Sequence, residues 1–285
     1  MILAGFIGSV HAQNTALSPS AYREIDTKYI FGFTTGTGIG LEGEKEISSE
    51  TIAALGKRSG KYQASETKFE FEHTPTQYMQ FEIGALAASH NIRGVPGLDD
   101  RQQFAFSGLF GELRYLAIER GATSPFAVTL SVEPVWRRID ETSGDPVRSF
   151  ELETRIAVDT ELVPNQVYFG FNALYEPGWT RTADGNLEKE ATLGVSSALA
   201  FRPLTSLVVG AEIGYFRHYD SLNLSQFVGD AWFVGPTLYW QFARKAFMTA
   251  AWATQVSGHS TEDPGTLNLH DFSRHRAKLK LAFEF

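Results

Sequence analysis

The chain has 285 residues, 43% hydrophobic and 20% charged, a composition that suits a folded protein and excludes a disordered one. It holds no cysteine, which excludes thiol catalysis, thiolate metal sites and disulfide staples. A net charge of −8 without a clustered Lys/Arg stripe argues against a nucleic-acid partner.

At the start, Ile2–Val10 is a short apolar stretch followed by Val10-His11-Ala12, a small-x-small pattern before Gln13. This reads as the end of a secretory signal peptide, residues 1–12, followed by a periplasmic segment, residues 13–27. No other apolar run approaches the roughly 20 residues of a membrane helix.

From residue 28 onward the pattern is alternation. Tyr29, Phe31, Phe33, Ile39 and Leu41 share one parity, with Gly32, Gly36, Gly38, Gly40, Glu42 and Glu44 on the other, which predicts a first strand. Thr67, Phe69 and Phe71 oppose Glu66, Lys68, Glu70 and Glu72; Met79, Phe81 and Ile83 oppose Gln80 and Glu82. Leu109, Leu113 and Tyr115 oppose Glu112 and Arg114 less cleanly, and Phe126, Val128, Leu130 and Val132 oppose Glu133. Phe150, Leu152, Ile156 and Val158 oppose Glu151, Glu153, Arg155, Asp159 and Glu161. The pattern continues through Val167–Ala173, Leu193–Phe201, Leu207–Tyr215, Trp232–Phe242 and Met248–Trp252. It ends in R-A-K-L-K-L-A-F-E-F, with Phe283 and Phe285 on the oily face and Arg276, Lys278 and Lys280 on the other. Successive side chains of a strand point to opposite faces, so this is an all-β chain of about twelve strands.

The connections alternate in length. Tight ones fall near Thr74–Gln77, Gly121–Pro125, Pro164-Asn165, Pro203–Ser206 and Arg244-Lys245; long polar ones fall near Glu46–Gly60, Asn91–Arg101, Asp140–Pro146, Thr182–Asn186, Tyr219–Gln226 and Gly258–Phe272. That rhythm predicts an up-and-down antiparallel transmembrane β-barrel over residues 28–285, rather than a Greek-key sandwich. In lipid the oily parity must face out, because a charged residue at mid-depth costs roughly 2–4 kcal/mol. Tyr29, Trp136, Trp179, Tyr215, Trp232 and Trp240 are then candidates for the interfacial aromatic belts.

The charged parity lines the interior. The expected lumen residues are Glu66, Lys68, Glu70, Glu72, Glu82, Glu112, Arg114, Glu133, Arg137, Glu151, Glu153, Arg155, Asp159, Glu161, Glu188, Glu190, Glu212, Arg276, Lys278 and Lys280. Two readings stand: a net acidic conduit favouring cations, or charges that pair across the lumen and fill it. Twelve tilted strands enclose a backbone radius of roughly 12 Å. The glycines of the first predicted strand suggest an unobstructed track walled by Lys278 and Lys280.

A lipid hydrolase is a different class to weigh. His259-Ser260 and His270, Asp271, Ser273 and His275 cluster in the last long loop, but a nucleophile needs a base in hydrogen-bond reach, and no known spacing is matched. No metal-ligand spacing or cofactor motif is found, so neither catalytic nor metal residues are assigned. A plugged barrel serving as anchor or receptor is the third class, with the long loops as contact surface.

The terminal Phe285 on an oily-faced last strand, the signal-like start and the chain-long alternation resemble Gram-negative outer-membrane β-barrels. The segment F-G-F-T-T-G-T-G-I-G-L-E-G-E-K-E (Phe31–Glu46) is similar to the start of barrels labelled as transporters, some associated by name with phenol degradation. The resemblance implies a location in the cell outer membrane and contact with its lipid. It also implies recognition of the C-terminal strand, through Phe283 and Phe285, by the barrel-assembly machinery. It carries no functional residues over. The expected function is passive transport of small polar or aromatic solutes.

Overall fold

The computed structural model describes residues 25–262 and 264–285. The signal segment, residues 1–12, and most of the periplasmic segment lie outside the described residues. The wall is built from β1 (Lys45–Leu55), β2 (Lys61–Thr76), β3 (Met79–Arg93), β4 (Arg101–Ile118), β5 (Phe126–Ile139), β6 (Pro146–Val163), β7 (Val167–Arg181), β8 (Leu187–Leu204), β9 (Leu207–Tyr219), β10 (Phe227–Ala243), β11 (Ala246–Ser260) and β12 (His275–Glu284). Each strand pairs antiparallel with its sequence neighbours, and β1 pairs with β12, so the sheet closes on itself without an edge. Closure satisfies the ladder of every strand inside the wall, as hydrocarbon demands.

Alternation sets the faces. Along β12, Leu279, Leu281 and Phe283 are 45%, 39% and 50% exposed, while Lys280 and Ala282 between them are 3% and 0% exposed. Trp136, Ile156, Leu199, Trp232 and Trp240 point outward from their strands in the same way. A continuous apolar outer wall of this kind fits a bilayer and has no role in water. One break has a local cause. Outward residues switch from even to odd numbers between Phe106 and Leu109, where the β3–β4 register shifts at Leu86/Ala87. A β-bulge takes up the extra residue and restores the oily face, which is why the sequence alternates poorly there.

The first strand differs from expectation. The predicted strand over Tyr29–Glu44 is not in the wall; the wall opens with Lys45–Leu55, part of which reads as a long link in the sequence. The strand number is unchanged because one strand replaces another. Residues 25–40 instead lie inside the barrel as a plug with a single 3-10 turn at Thr27–Tyr29, and the exposed residues Leu41, Glu42 and Gly43 turn the chain into β1. Asp26 caps that turn by accepting from Lys28 N at 2.8 Å, and its other oxygen accepts from Gly40 N at 3.1 Å. Gly36 N donates to the Lys28 carbonyl at 3.3 Å, so the two arms of the plug lie against each other.

The glycines follow from this crowding. A Cβ on Gly36 would sit 2.0 Å from the Thr27 carbonyl oxygen. Gly32 has φ +88°, a conformation that L side chains rarely adopt, with Thr237, Ala251 and Glu212 pressed against it. They form no open track in the wall. Tyr29, expected in an outer aromatic belt, is buried in the plug instead, its ring centroid 4.7 Å from that of Phe247.

Candidate functional site

The plug is fixed at its base by packing. Ile25, Tyr29, Ile30 and Phe31 cluster with Tyr168, Val208, Tyr239, Phe247 and Ala282, all close to the short-turn rim. Ile30 and Phe31 are 0% exposed. Each such burial contributes about 1.5–3 kcal/mol.

Above that base the contacts are polar and come from nearly all round the wall. Lys28 Nζ donates to Glu72 at 2.5 Å, Gln80 at 2.8 Å and Glu82 at 3.2 Å. The Tyr29 hydroxyl donates to Glu72 at 2.8 Å, and Thr249 donates to the Tyr29 carbonyl at 2.8 Å. Glu212 takes the amides of Phe33 and Thr34, one on each oxygen, at 3.1 and 2.8 Å. Asn172 both accepts from Thr35 N and donates to its carbonyl, each at 2.7 Å. Asp159 accepts from the amide and hydroxyl of Thr37, and Arg114 donates to the carbonyls of Gly36 and Gly38. The plug therefore spends its backbone groups on wall side chains, since it has no sheet or helix of its own to satisfy them.

Beyond the plug, toward the long loops, lies a cavity of about 430 Å³. Lys28, Tyr29, Phe33 and Thr35 form its floor; Lys57, Thr142, Asp271 and Ser273 stand at its outer end. Of the residues expected in the lumen, Glu66, Lys68, Glu70, Glu82, Glu112, Arg114, Glu133, Arg137, Glu153, Arg155, Glu212, Arg276, Lys278 and Lys280 line it. Glu72 and Asp159 lie beside the plug, and Glu161 pairs with Arg120 at 2.7 Å near the short-turn rim. Glu151 pairs with Arg137. Glu188 and Glu190 stand apart from the cavity wall, at the outer end of β8, where Glu190 faces His218 at 3.4 Å.

Eleven acids and nine bases line the cavity, and most are paired. Arg137 engages Glu66 through both Nε and Nη2 at 3.0 Å; Lys68 meets Glu133 at 2.5 Å; Lys280 meets Glu70 at 2.5 Å; Lys278 meets Glu50 at 3.0 Å; Arg155 meets Glu153 at 2.7 Å. Pairing is what a confined lumen requires, because an isolated ion there is expensive. The track proposed beside Lys278 and Lys280 is thus occupied: their ammonium groups serve as partners of Glu50 and Glu70.

Three inward aromatics were not anticipated: Phe33 of the plug, Phe216 of β9 and Phe233 of β10, which pack with Phe272 of the last loop. A signal was present in the sequence. Phe216 and Phe233 are bulky apolar residues on the parity opposite to Tyr215 and Trp232.

The serine hydroxyls of the last loop are bonded to backbone. The Ser273 hydroxyl donates to the His275 carbonyl at 2.9 Å, and Ser260 Oγ accepts from Glu262 N at 3.3 Å. His270 bonds Asp271 at 2.9 Å, and the His275 ring meets Thr254. Among the described residues neither serine is hydrogen-bonded to a histidine ring, so no base is set against either hydroxyl here. Lys57 crosses from the β1–β2 link to the carbonyls of His270 and Phe272 at 2.6 and 3.2 Å. Burial pushes the Lys57 ammonium down to about 8, against the pull of Asp271 and Asp140.

Comparison with solved structures places the fold among outer-membrane barrels. The COG4313 outer membrane channel from Pseudomonas putida F1 superposes with TM-score 0.56 at 8% identity, over 87% of this chain and 97% of that one. The NanC porin gives TM-score 0.49 at 8% identity over 84% and 98%. LpxR from Salmonella typhimurium gives 0.46 at 12% identity over 84% and 99%. At such identities the likeness is one of fold alone. No curated protein matches the sequence significantly. The profile of one family spans residues 23–285, the whole plug and all of the wall, and the chain belongs to that family, the family of unknown function DUF6662.

Proposed function

We propose that the chain is an outer-membrane channel for small solutes, closed on the short-turn side by its own N-terminal plug and opened when that plug shifts. The long loops then face outward and the short turns face the periplasm. Phe283 and Phe285, 50% and 58% exposed on the outer face of the last strand, are the groups offered to the assembly machinery. Residues 1–12 fit this reading as part of an export signal.

The observation that carries it is the division of the lumen. A charged cavity runs from the loop rim to the plug, and below it the lumen is filled by a short segment held through hydrogen bonds and ion pairs. A segment of that kind moves without unfolding the wall, whose ladders are complete without it. Solutes entering the cavity meet acids and bases in near balance, so strong cation selection is not expected.

The test is conductance in planar bilayers. The full chain is expected to show small or rare openings, and a variant lacking residues 25–40 a large, steady conductance. Lys28→Ala, which keeps the segment but removes its main anchor, is expected to fall between. The number of wall contacts on the plug favours a second reading, a permanently closed barrel serving as an anchor. Conductance that stays at the full-chain level in both variants would establish it and remove transport.

A further inference from the structure

Arg276 stands out among the lumen charges. It projects from β12 into the cavity, yet among the described residues it forms no ion pair and donates no hydrogen bond. What surrounds its guanidinium is aromatic. The ring of Phe33 lies 4.7 Å away, that of Phe216 5.3 Å and that of Phe233 5.8 Å. Glu212, four residues before Phe216 on β9, is no substitute partner, because both of its oxygens already accept plug amides. Glu176 of β7 also lines the cavity, five strands away around the wall, and so faces the site from across the lumen.

We propose that Arg276 and its three phenylalanines form a binding site for an organic carboxylate with a flat apolar body, such as an aromatic monocarboxylate. Rings over the face of a guanidinium stabilise the charge without using its N–H groups, which stay free along the edge. A planar carboxylate matches that edge with two parallel hydrogen bonds. An apolar body then lies against Phe216 and Phe233 and, at the floor, against Phe33. Phe33 belongs to the plug, so a ligand seated here touches the segment that closes the lumen. Of the remaining cavity bases, Lys57 is spent on the His270 and Phe272 carbonyls at the outer end and the others are engaged by acids, which leaves Arg276 as the cation best placed to receive an anion.

The site rests on reading the lumen as a solute path, but its test requires no transport. Full-length protein in detergent is titrated calorimetrically with benzoate, acetate and benzylammonium. Benzoate is expected to bind at one per chain, acetate about tenfold or more weaker for lack of a ring, and benzylammonium not measurably. Arg276→Gln is expected to weaken benzoate by about tenfold or more, through loss of charge-assisted hydrogen bonds, and Arg276→Lys by less. Unchanged benzoate binding in Arg276→Gln overturns the proposal. If that variant does not fold, the unmodified protein still decides: benzylammonium or acetate binding as tightly as benzoate overturns it equally. A chain that binds benzoate but never conducts sinks the transport reading and keeps the site. A conducting chain indifferent to benzoate sinks the site alone.

Discussion

The two halves of the lumen share one wall but are filled on different terms. On the short-turn side the interior is closed by residues 25–40, with Ile30 and Phe31 fully buried and Lys28 held by Glu72, Gln80 and Glu82. On the long-loop side the wall pairs its charges with itself: Lys68 reaches from β2 to Glu133 of β5, and Lys280 from β12 to Glu70 of β2. The first half depends on a segment supplied from outside the sheet; the second does not. Ladder hydrogen bonds and strand number set the bore, but whether the bore is a path depends on a short stretch that the ladders do not need. Disturbing the plug should therefore alter conductance far more than it alters barrel stability.

The largest effect is expected from Lys28→Ala. It leaves Glu72 and Glu82 facing each other without the cation between them, and breaking a buried pair by removing one partner costs about 3–5 kcal/mol. That loss falls on the docked plug. Proteolysis within residues 25–44 should accelerate strongly while the heat-resistant folded band on a gel persists. Cleavage at the wild-type rate would mean that packing alone holds the plug and that the two halves differ less than proposed.

A smaller effect is expected from Gly36→Ala, which changes no charge. Its Cβ would meet backbone, the Thr27 carbonyl, and backbone cannot rotate aside as a side chain does. Overpacking of this kind costs about 1–3 kcal/mol, so plug proteolysis and conductance should both rise, but less than with Lys28→Ala. Gly111→Ala in β4 is the control, because the nearest atom to its Cβ is 3.4 Å away. Equal behaviour of the two glycine variants would show that the close approach at Gly36 is not what shapes the plug.

The same contrast explains what could be read from the residues. Strands with a greasy outward parity and a charged inward one were legible from end to end, β6 and β12 above all. β1 was not, because its contrast is erased: Ser49, Thr51 and Ala53 are small on the outer face, while Ile52 and Ala54 line the cavity inside. The plug misleads in the opposite sense. Its aromatics and glycines alternate like a strand, but the glycines answer to contact between its two arms and with the wall, a tertiary cause that period-2 counting does not contain. The charged lumen residues were legible by parity. Their pairing was not, since Glu66–Arg137 and Lys68–Glu133 join strands three apart. Arg276 looked like Lys278 and Lys280, and only the three rings around it set it apart.

The smallest effect concerns the rim above the cavity, where Lys57 ties the β1–β2 link to the last loop. Its folded-state value of about 8 lies below its ordinary 10.5, so the unfolded chain holds the proton more tightly. Below pH 8 both states carry the proton and the folded one bears the full desolvation cost. Between pH 8 and 10.5 the folded lysine sheds it first, so stability should rise with pH across that window. The neutral amine still donates, and the bonds to the His270 and Phe272 carbonyls persist in part. A gain in Tm of about 1–2 °C is expected, since 1 kcal/mol shifts a chain of this size by only about 2–4 °C and water at the rim weakens the effect. Lys57→Met carries no proton to lose, so subtracting its melting profile from that of the unmodified protein isolates this group from every other lysine and tyrosine. Identical slopes in the two would mean that the loops, not this ammonium, set the rim's response to pH, and that the outer half is as independent of single anchors as the wall beneath it.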